Sequence, residues 1–175
     1  MRGSPKLPPG VAGPLVRRLE ELRTVVDRAS LLAHLVDAER RVIWCSTGVT
    51  DLLGVDYDAL VPGPIDALID LAATKVVHPK WRAEFRKDQR IRALLAMEHE
   101  LLGNTWTVLS LPVRNRFHPG GGTYFAHIHP TRLLASGRNR LLGTLVVITM
   151  FAVADLQAQL GGYVARITPP VGRPS

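Results

Sequence analysis

The spacing of apolar and polar positions changes several times along the chain, and each change marks an element. From Pro14, PLVRRLEELRTVVDRAS puts Leu15, Leu19, Leu22 and Val26 on one stripe. Arg17, Arg18, Glu21 and Arg23 lie opposite, so the segment predicts an amphipathic helix opened by proline. SLLAHLVDA and RVIWCST read as two strands that turn at Glu39-Arg40. GVTDLLGVD predicts a short helix stopping at Gly54, YDAL a further turn, and PIDALIDLAATKVV a helix with Pro64 near its start. His78-Pro79 breaks the pattern. KWRAEFRKDQRIRALLAMEHELL then reads as the longest helix, ended by Gly103-Asn104; its apolar set includes Trp81, Phe85, Ile91, Leu94 and Leu95.

Beyond Asn104 the period becomes that of strands. TWTVLSLPVRNRF and TYFAHIHPTRLLA are two strands separated by HPGGG, whose glycines mark a hairpin loop. LLGTLVVITMFAV is apolar on both faces, as expected of an interior strand. ADLQAQL predicts a last helical turn or two. The order predicts an α+β fold: a five-stranded antiparallel sheet, helices inserted between the second and third strands, and an amphipathic helix in front. The expected organisation is a disordered lead-in over 1–13, the helix over 14–29, one domain over 30–160 and a tail over 161–175.

Composition narrows the class. The chain has 175 residues, 46% of them hydrophobic and 21% charged, enough for one domain with a sizeable core. A single cysteine, Cys45, excludes a disulfide within the chain and suits a reducing cytoplasm. MRGSPKLPPG has no apolar core of the signal-peptide kind, and LLGTLVVITMFAVA falls short of the roughly 18 residues of a membrane span. A soluble, cytoplasmic protein without membrane contact is the expectation.

The net charge of +7 is unevenly distributed. Val42 to Thr74 carries Asp51, Asp56, Asp58, Asp66 and Asp70 and no Lys or Arg. Gly103 to Ala154 carries Arg114, Arg116, Arg132, Arg138 and Arg140 and no acid. A basic half can meet nucleic acid or an anionic ligand, but no aromatics interleave these arginines as single-strand binders require. A solvated basic surface is the simpler account.

Candidate chemistry is sparse. GGTYFAHIHP contains G-x5-H-x-H from Gly121 to His127 and His129, two imidazoles on one face of a strand. This resembles the first half of a cupin metal motif, and a cupin-like metal-dependent enzyme is the alternative reading. The carboxylate expected four or five residues on is replaced by Leu133 and Leu134. His78 and His99 flank the long helix, next to proline or charged residues. Asp51, Asp56 and Asp58 are accounted for by helix caps and turns. The chain contains no G-x-S-x-G, P-loop, G-x-G-x-x-G or H-E-x-x-H motif. No residue is assigned a catalytic role, and no cofactor is named.

The element order, with LVDAERRVIWCSTGVTDLLGVD at its start, resembles a PAS domain over Ser30 to Ala154. Asp37 matches the turn Asp of that family, and Leu52-Leu53-Gly54 match its helix end. Arg40 or Arg41 stands where Gly is usual, and Cys45 at or beside a position often held by Asn. Trp44, Pro79, Trp81 and Arg92 are similar to the outline of the PAS-like ligand-binding domain of MmyB-type bacterial transcription regulators. The resemblance implies a sheet whose first strand lies centrally beside the last, a pocket between helices and sheet, and a regulatory rather than enzymatic role. It also implies that the helix before the domain pairs in a homodimer. Some members of that family hold haem through a helix histidine, a role open here to His78 or His99, and Cys45 stands outside the photoactive flavin motif.

For the pocket, Trp44, Trp81, Trp106, Phe125 and Met150 are the large apolar candidates, with Cys45 and His127 as polar ones. A lining of that kind suits an apolar or amphipathic ligand such as a fatty acid. The small residues Ser46, Thr47 and Gly48 would let the helix after the hairpin lie close to the sheet while leaving space beside it.

Overall fold

The computed structural model describes residues 32–75, 77–111, 122–135, 140–155 and 157–158. The amphipathic helix expected over 14–29, the lead-in and the tail lie outside the described residues. The chain runs β1 (Leu32–Asp37), β2 (Arg41–Cys45), α1 (Thr47–Leu53), β3 (Gly63–Pro64), α2 (Ile65–Lys75), α3 (Arg82–Glu98), α4 (Glu100–Gly103), β4 (Thr105–Leu111), β5 (Gly122–Leu134) and β6 (Leu141–Ala152). Single 3-10 turns occur at Tyr57–Ala59 and Pro79–Trp81.

One antiparallel sheet has the order β3-β2-β1-β6-β5-β4. β1 lies in the interior beside the last strand, and all six of its residues are buried. The sheet has six strands rather than the expected five. The extra one is the two-residue β3, where Gly63 and Pro64 pair with Val42 and Arg41. Two residues show no periodicity, and a proline, lacking an N–H, fits only such an edge position.

The β1–β2 turn is built by Asp37. Its carboxylate accepts from the Arg41 backbone N–H at 2.8 Å and from Arg41 Nε at 3.0 Å, while Arg40 N–H reaches the Asp37 carbonyl at 3.1 Å. Arg40 occupies the left-handed region at φ 64°, where glycine is easiest. Beyond the turn, Val36 pairs with Val42 and Leu35 with Trp44, so Ile43 is an extra, bulged residue. α1 ends on Gly54 at φ 66°, whose N–H bonds to the Thr50 carbonyl.

The longest helix is shorter than its apolar pattern. His99 is extended at φ −153°, ψ 133°, and ends α3; its Nδ1 then accepts from Leu101 N–H at 3.2 Å and caps α4. Gly103 packs so tightly that a Cβ there would collide with Ala96 Cβ and come within 3.0 Å of Pro130 Cγ.

The helices pack on one face of the sheet. Val49 and Leu53 of α1 and Ile65, Leu68 and Ile69 of α2 meet Leu32, Val36, Val42, Leu109 and Ala126 from the strands. On the opposite face Ala33, Leu35, Ile43, Trp44 and Leu145 form a second buried cluster. Both faces of the central strands are therefore covered, which explains why β1 and β6 are largely apolar on both faces.

Candidate functional site

Inward residues of the central strands follow the pleat. Leu32, His34 and Val36 of β1 share a face with Thr144, Val146 and Ile148 of β6, because His34 pairs with Val146 and Val36 with Thr144. Above them stand Leu68 and Ile69 of α2 and Phe85, Gln89 and Ala93 of α3. These elements do not close completely, and a cavity of about 120 Å³ remains between sheet and helices, lined almost wholly by apolar atoms.

The exceptions in that lining define its chemistry. His34 is buried inside it, and its Nδ1 has no hydrogen-bond partner in the protein. The same holds for Thr144 Oγ1 and for Arg40 Nε, which also belong to lining residues. Burial without a partner disfavours the imidazolium and brings the His34 pKa down to about 4. The ring is therefore neutral at pH 7. Buried polar atoms normally find partners, so three unpaired ones around one cavity are conspicuous.

Beside the cavity an ion cluster ties the β1–β2 turn to two helices. Asp66 of α2 accepts from Arg40 at 3.1 Å and from Arg90 Nε at 2.9 Å. Asp70, one turn on, accepts from Arg90 at 2.9 Å and from Arg86 at 3.1 Å. Three guanidinium groups against two carboxylates leave one positive charge in excess. On the other flank Arg92 bonds Asp88 at 3.2 Å and the Asn104 carbonyl at 3.2 Å, anchoring α3 to the start of β4.

The residues expected to line a pocket are distributed elsewhere. Trp44 is buried on the opposite face of the sheet, and Cys45 packs in the helix-side core, where burial pushes its thiol up to about 12 and keeps it protonated. Met150 is half-buried against that same core. Trp81, Trp106 and Phe125 are 55%, 60% and 39% exposed. None of the seven expected residues lines the cavity. Parity along β5 separates them: Tyr124, Ala126, Ile128 and Pro130 face the helices, whereas Phe125, His127 and His129 face outward.

Trp106 and His127 do come together, paired across β4 and β5 and stacked with centroids 4.5 Å apart. Asn104 bridges the two histidines, its Oδ1 against His127 Nε2 and its Nδ2 3.4 Å from His129 Nδ1. Among the described residues no group of three or more His, Cys, Asp or Glu side chains converges on a metal position. Of the five arginines in the basic half, Arg132 and Arg140 are among the described residues; Arg132 has its Nε buried and its backbone N–H bonded to Glu100. Arg114, Arg116 and Arg138 lie outside them.

His34, Arg40 and Thr144 are the residues that sequence reading missed. A signal was present: His34 and Thr144 are polar residues at inward parity in strands whose other inward residues are apolar.

With β1 between β2 and β6, and α1 to α4 inserted between the first hairpin and β4, the fold is PAS-like. Similar solved structures are PAS domains. That of Bordetella pertussis BvgS is 18% identical, with a TM-score of 0.48, over 86% of this chain and 99% of that one. A PAS domain from Colwellia psychrerythraea is 12% identical with a TM-score of 0.46, covering 77% of this chain and 98% of its own. The PAS domain of the fruit-fly ELK potassium channel is 14% identical with a TM-score of 0.46, covering 75% and 94%. No protein-family model matches the chain, and no curated protein matches it. No helix among the described residues is long and apolar enough to cross a membrane.

Proposed function

We propose that this chain is a sensory module that binds an apolar or amphipathic small molecule between its sheet and its helices and acts in the regulation of transcription or signalling. The cavity of about 120 Å³ bordered by unpaired His34 and Thr144 carries the reading. A domain of this size has no packing reason to leave such a space beside its central strands, since interiors normally fill to crystal-like density. The resemblance of LVDAERRVIWCSTGVTDLLGVD to the PAS pattern supports the regulatory part.

Toluene tests the cavity. Thermal unfolding of the full chain should shift upward with toluene, and Ala93→Phe, which directs a ring into the space, should abolish the shift. A melting temperature indifferent to toluene in the parent chain would count against a binding cavity.

Self-association belongs to the same proposal. The stripe Leu15, Leu19, Leu22 and Val26 is too short to be stable as an isolated helix and must pack either on the sheet of its own chain or on a second copy; the resemblance to PAS domains, whose preceding helices commonly pair, supports a homodimer through this segment. Light scattering on the full chain and on a form beginning at Arg28 tests it. A full-length monomer at micromolar concentration would refute the dimer.

A further inference from the structure

The three unpaired atoms differ in what they can accept. Arg40 Nε carries a hydrogen and no lone pair, so it can only donate. The Thr144 hydroxyl and the neutral imidazole of His34 can each donate or accept. The one partner that satisfies all three is therefore an acceptor. A carbonyl or carboxylate oxygen meets this need; an ammonium, which only donates, does not.

Charge and size narrow the choice. Arg40 belongs to the cluster in which three guanidinium groups face two carboxylates, so an anion beside it would balance the excess. Donors to an anion also form shorter and stronger hydrogen bonds than donors to a neutral acceptor. Apart from Gln89 and Arg92, the remaining lining, including Leu68, Ile69 and Phe85, is apolar and suits a hydrocarbon. Benzene fills an apolar cavity of about 150 Å³, so about 120 Å³ holds roughly five or six non-hydrogen atoms before side chains adjust.

We propose that the cavity takes a short-chain carboxylate, with its oxygens received by Arg40 Nε, Thr144 Oγ1 and His34 Nδ1 and its hydrocarbon tail against α2 and α3. The assignment rests on the reading of the cavity as a ligand site and adds the identity of the head group. His34 and Thr144 are diagonal neighbours across β1 and β6, on the same face, so one carboxylate lies within the span of both. Their unpaired atoms in the free protein are then the binding groups themselves.

Calorimetric titration of the full chain with butanoate, 1-butanol and toluene tests this at constant ionic strength. Butanoate should bind at one site and more tightly than 1-butanol. Thr144→Val and His34→Leu should each weaken butanoate about tenfold, the worth of one hydrogen bond to a charged group, whereas toluene, which makes no hydrogen bond, should bind no more weakly to the more apolar lining. Arg40→Lys keeps the charge but loses the Nε donor and should weaken it likewise. Both apolar variants remove an unpaired buried group, so their melting temperatures should stay level or rise, which separates lost binding from lost folding. Butanoate no tighter than 1-butanol, or unaffected by these variants, would overturn the carboxylate assignment. Toluene binding in that same case would leave the cavity reading intact, and failure of all three probes would overturn both.

Discussion

Ser46 and Ala33 hold one another by two hydrogen bonds: Ser46 N–H donates to the Ala33 carbonyl at 2.8 Å, and Ala33 N–H donates to Ser46 Oγ at 3.0 Å. The serine thus continues the β1–β2 ladder with its side chain while its backbone turns into α1. Ala33 is fully buried, so its N–H has no access to water. Ser46→Ala is expected to lower unfolding free energy by about 1–3 kcal/mol, the range for a buried donor left unpaired. Urea denaturation measures it, with Ser46→Thr as a control that keeps the hydroxyl.

Thr144 presents the reverse case. Its hydroxyl is buried and unpaired, so replacing it with an isosteric apolar group removes a desolvation penalty. Thr144→Val should stabilise the ligand-free protein by about 1 kcal/mol. A destabilised variant in the same urea titration would mean that the hydroxyl has a partner.

His34 makes stability depend on pH. Its folded pKa of about 4 lies below the ordinary value of 6.5, so the unfolded chain takes up the proton first as pH falls. The contribution to stability is complete above pH 6.5 and is lost progressively down to pH 4. The shift corresponds to about 3 kcal/mol, and the loss should be absent in His34→Leu. Unfolding free energies of both proteins between pH 4 and 7 check the difference in slope.

Arg90 joins α3 to α2 through Asp66 and Asp70, but these groups are close to half exposed. Asp70→Asn should therefore cost no more than about 1 kcal/mol, and the difference should shrink in 1 M salt as the charges are screened. Denaturation at low and high salt reads both effects.

Gly103 has no room for a side chain, being pressed against Ala96 and Pro130. Gly103→Ala is expected to destabilise by about 1–3 kcal/mol through overpacking, with an unchanged urea m-value. A neutral substitution would show that α4 can move away from β5.

Much of the architecture was written in local patterns. Strand-like patterning located β1, β2, β4, β5 and β6, Glu39-Arg40 marked the turn, Gly54 marked the end of α1, and an apolar run on both faces placed β6 in the interior, while the central place of β1 came from the PAS resemblance. These features depend on neighbours a few residues apart, and period and turn chemistry report such neighbours directly. β3 escaped notice because two residues carry no period, and the break at His99 because the apolar pattern continues across it.

The site was decided by distance between elements, which no local pattern encodes. Parity assigned His127 and His129 to one face of β5, but which face meets the helices depends on pairing with β6 and on the packing of α3 over the sheet. That packing turned Trp106 and Phe125 outward and left Trp44 on the far side. Whether an inward residue such as His34 touches a neighbouring side chain or a space depends on how closely α2 and α3 approach. Long-range contacts such as Arg90 with Asp70 and Gly103 with Pro130 set that approach. Sequence alone determined that the last strand is interior and where the other strands and helices run; only the tertiary structure placed a neutral histidine, a threonine and an arginine around one cavity, because van der Waals closure between separate elements is a property of the assembled fold.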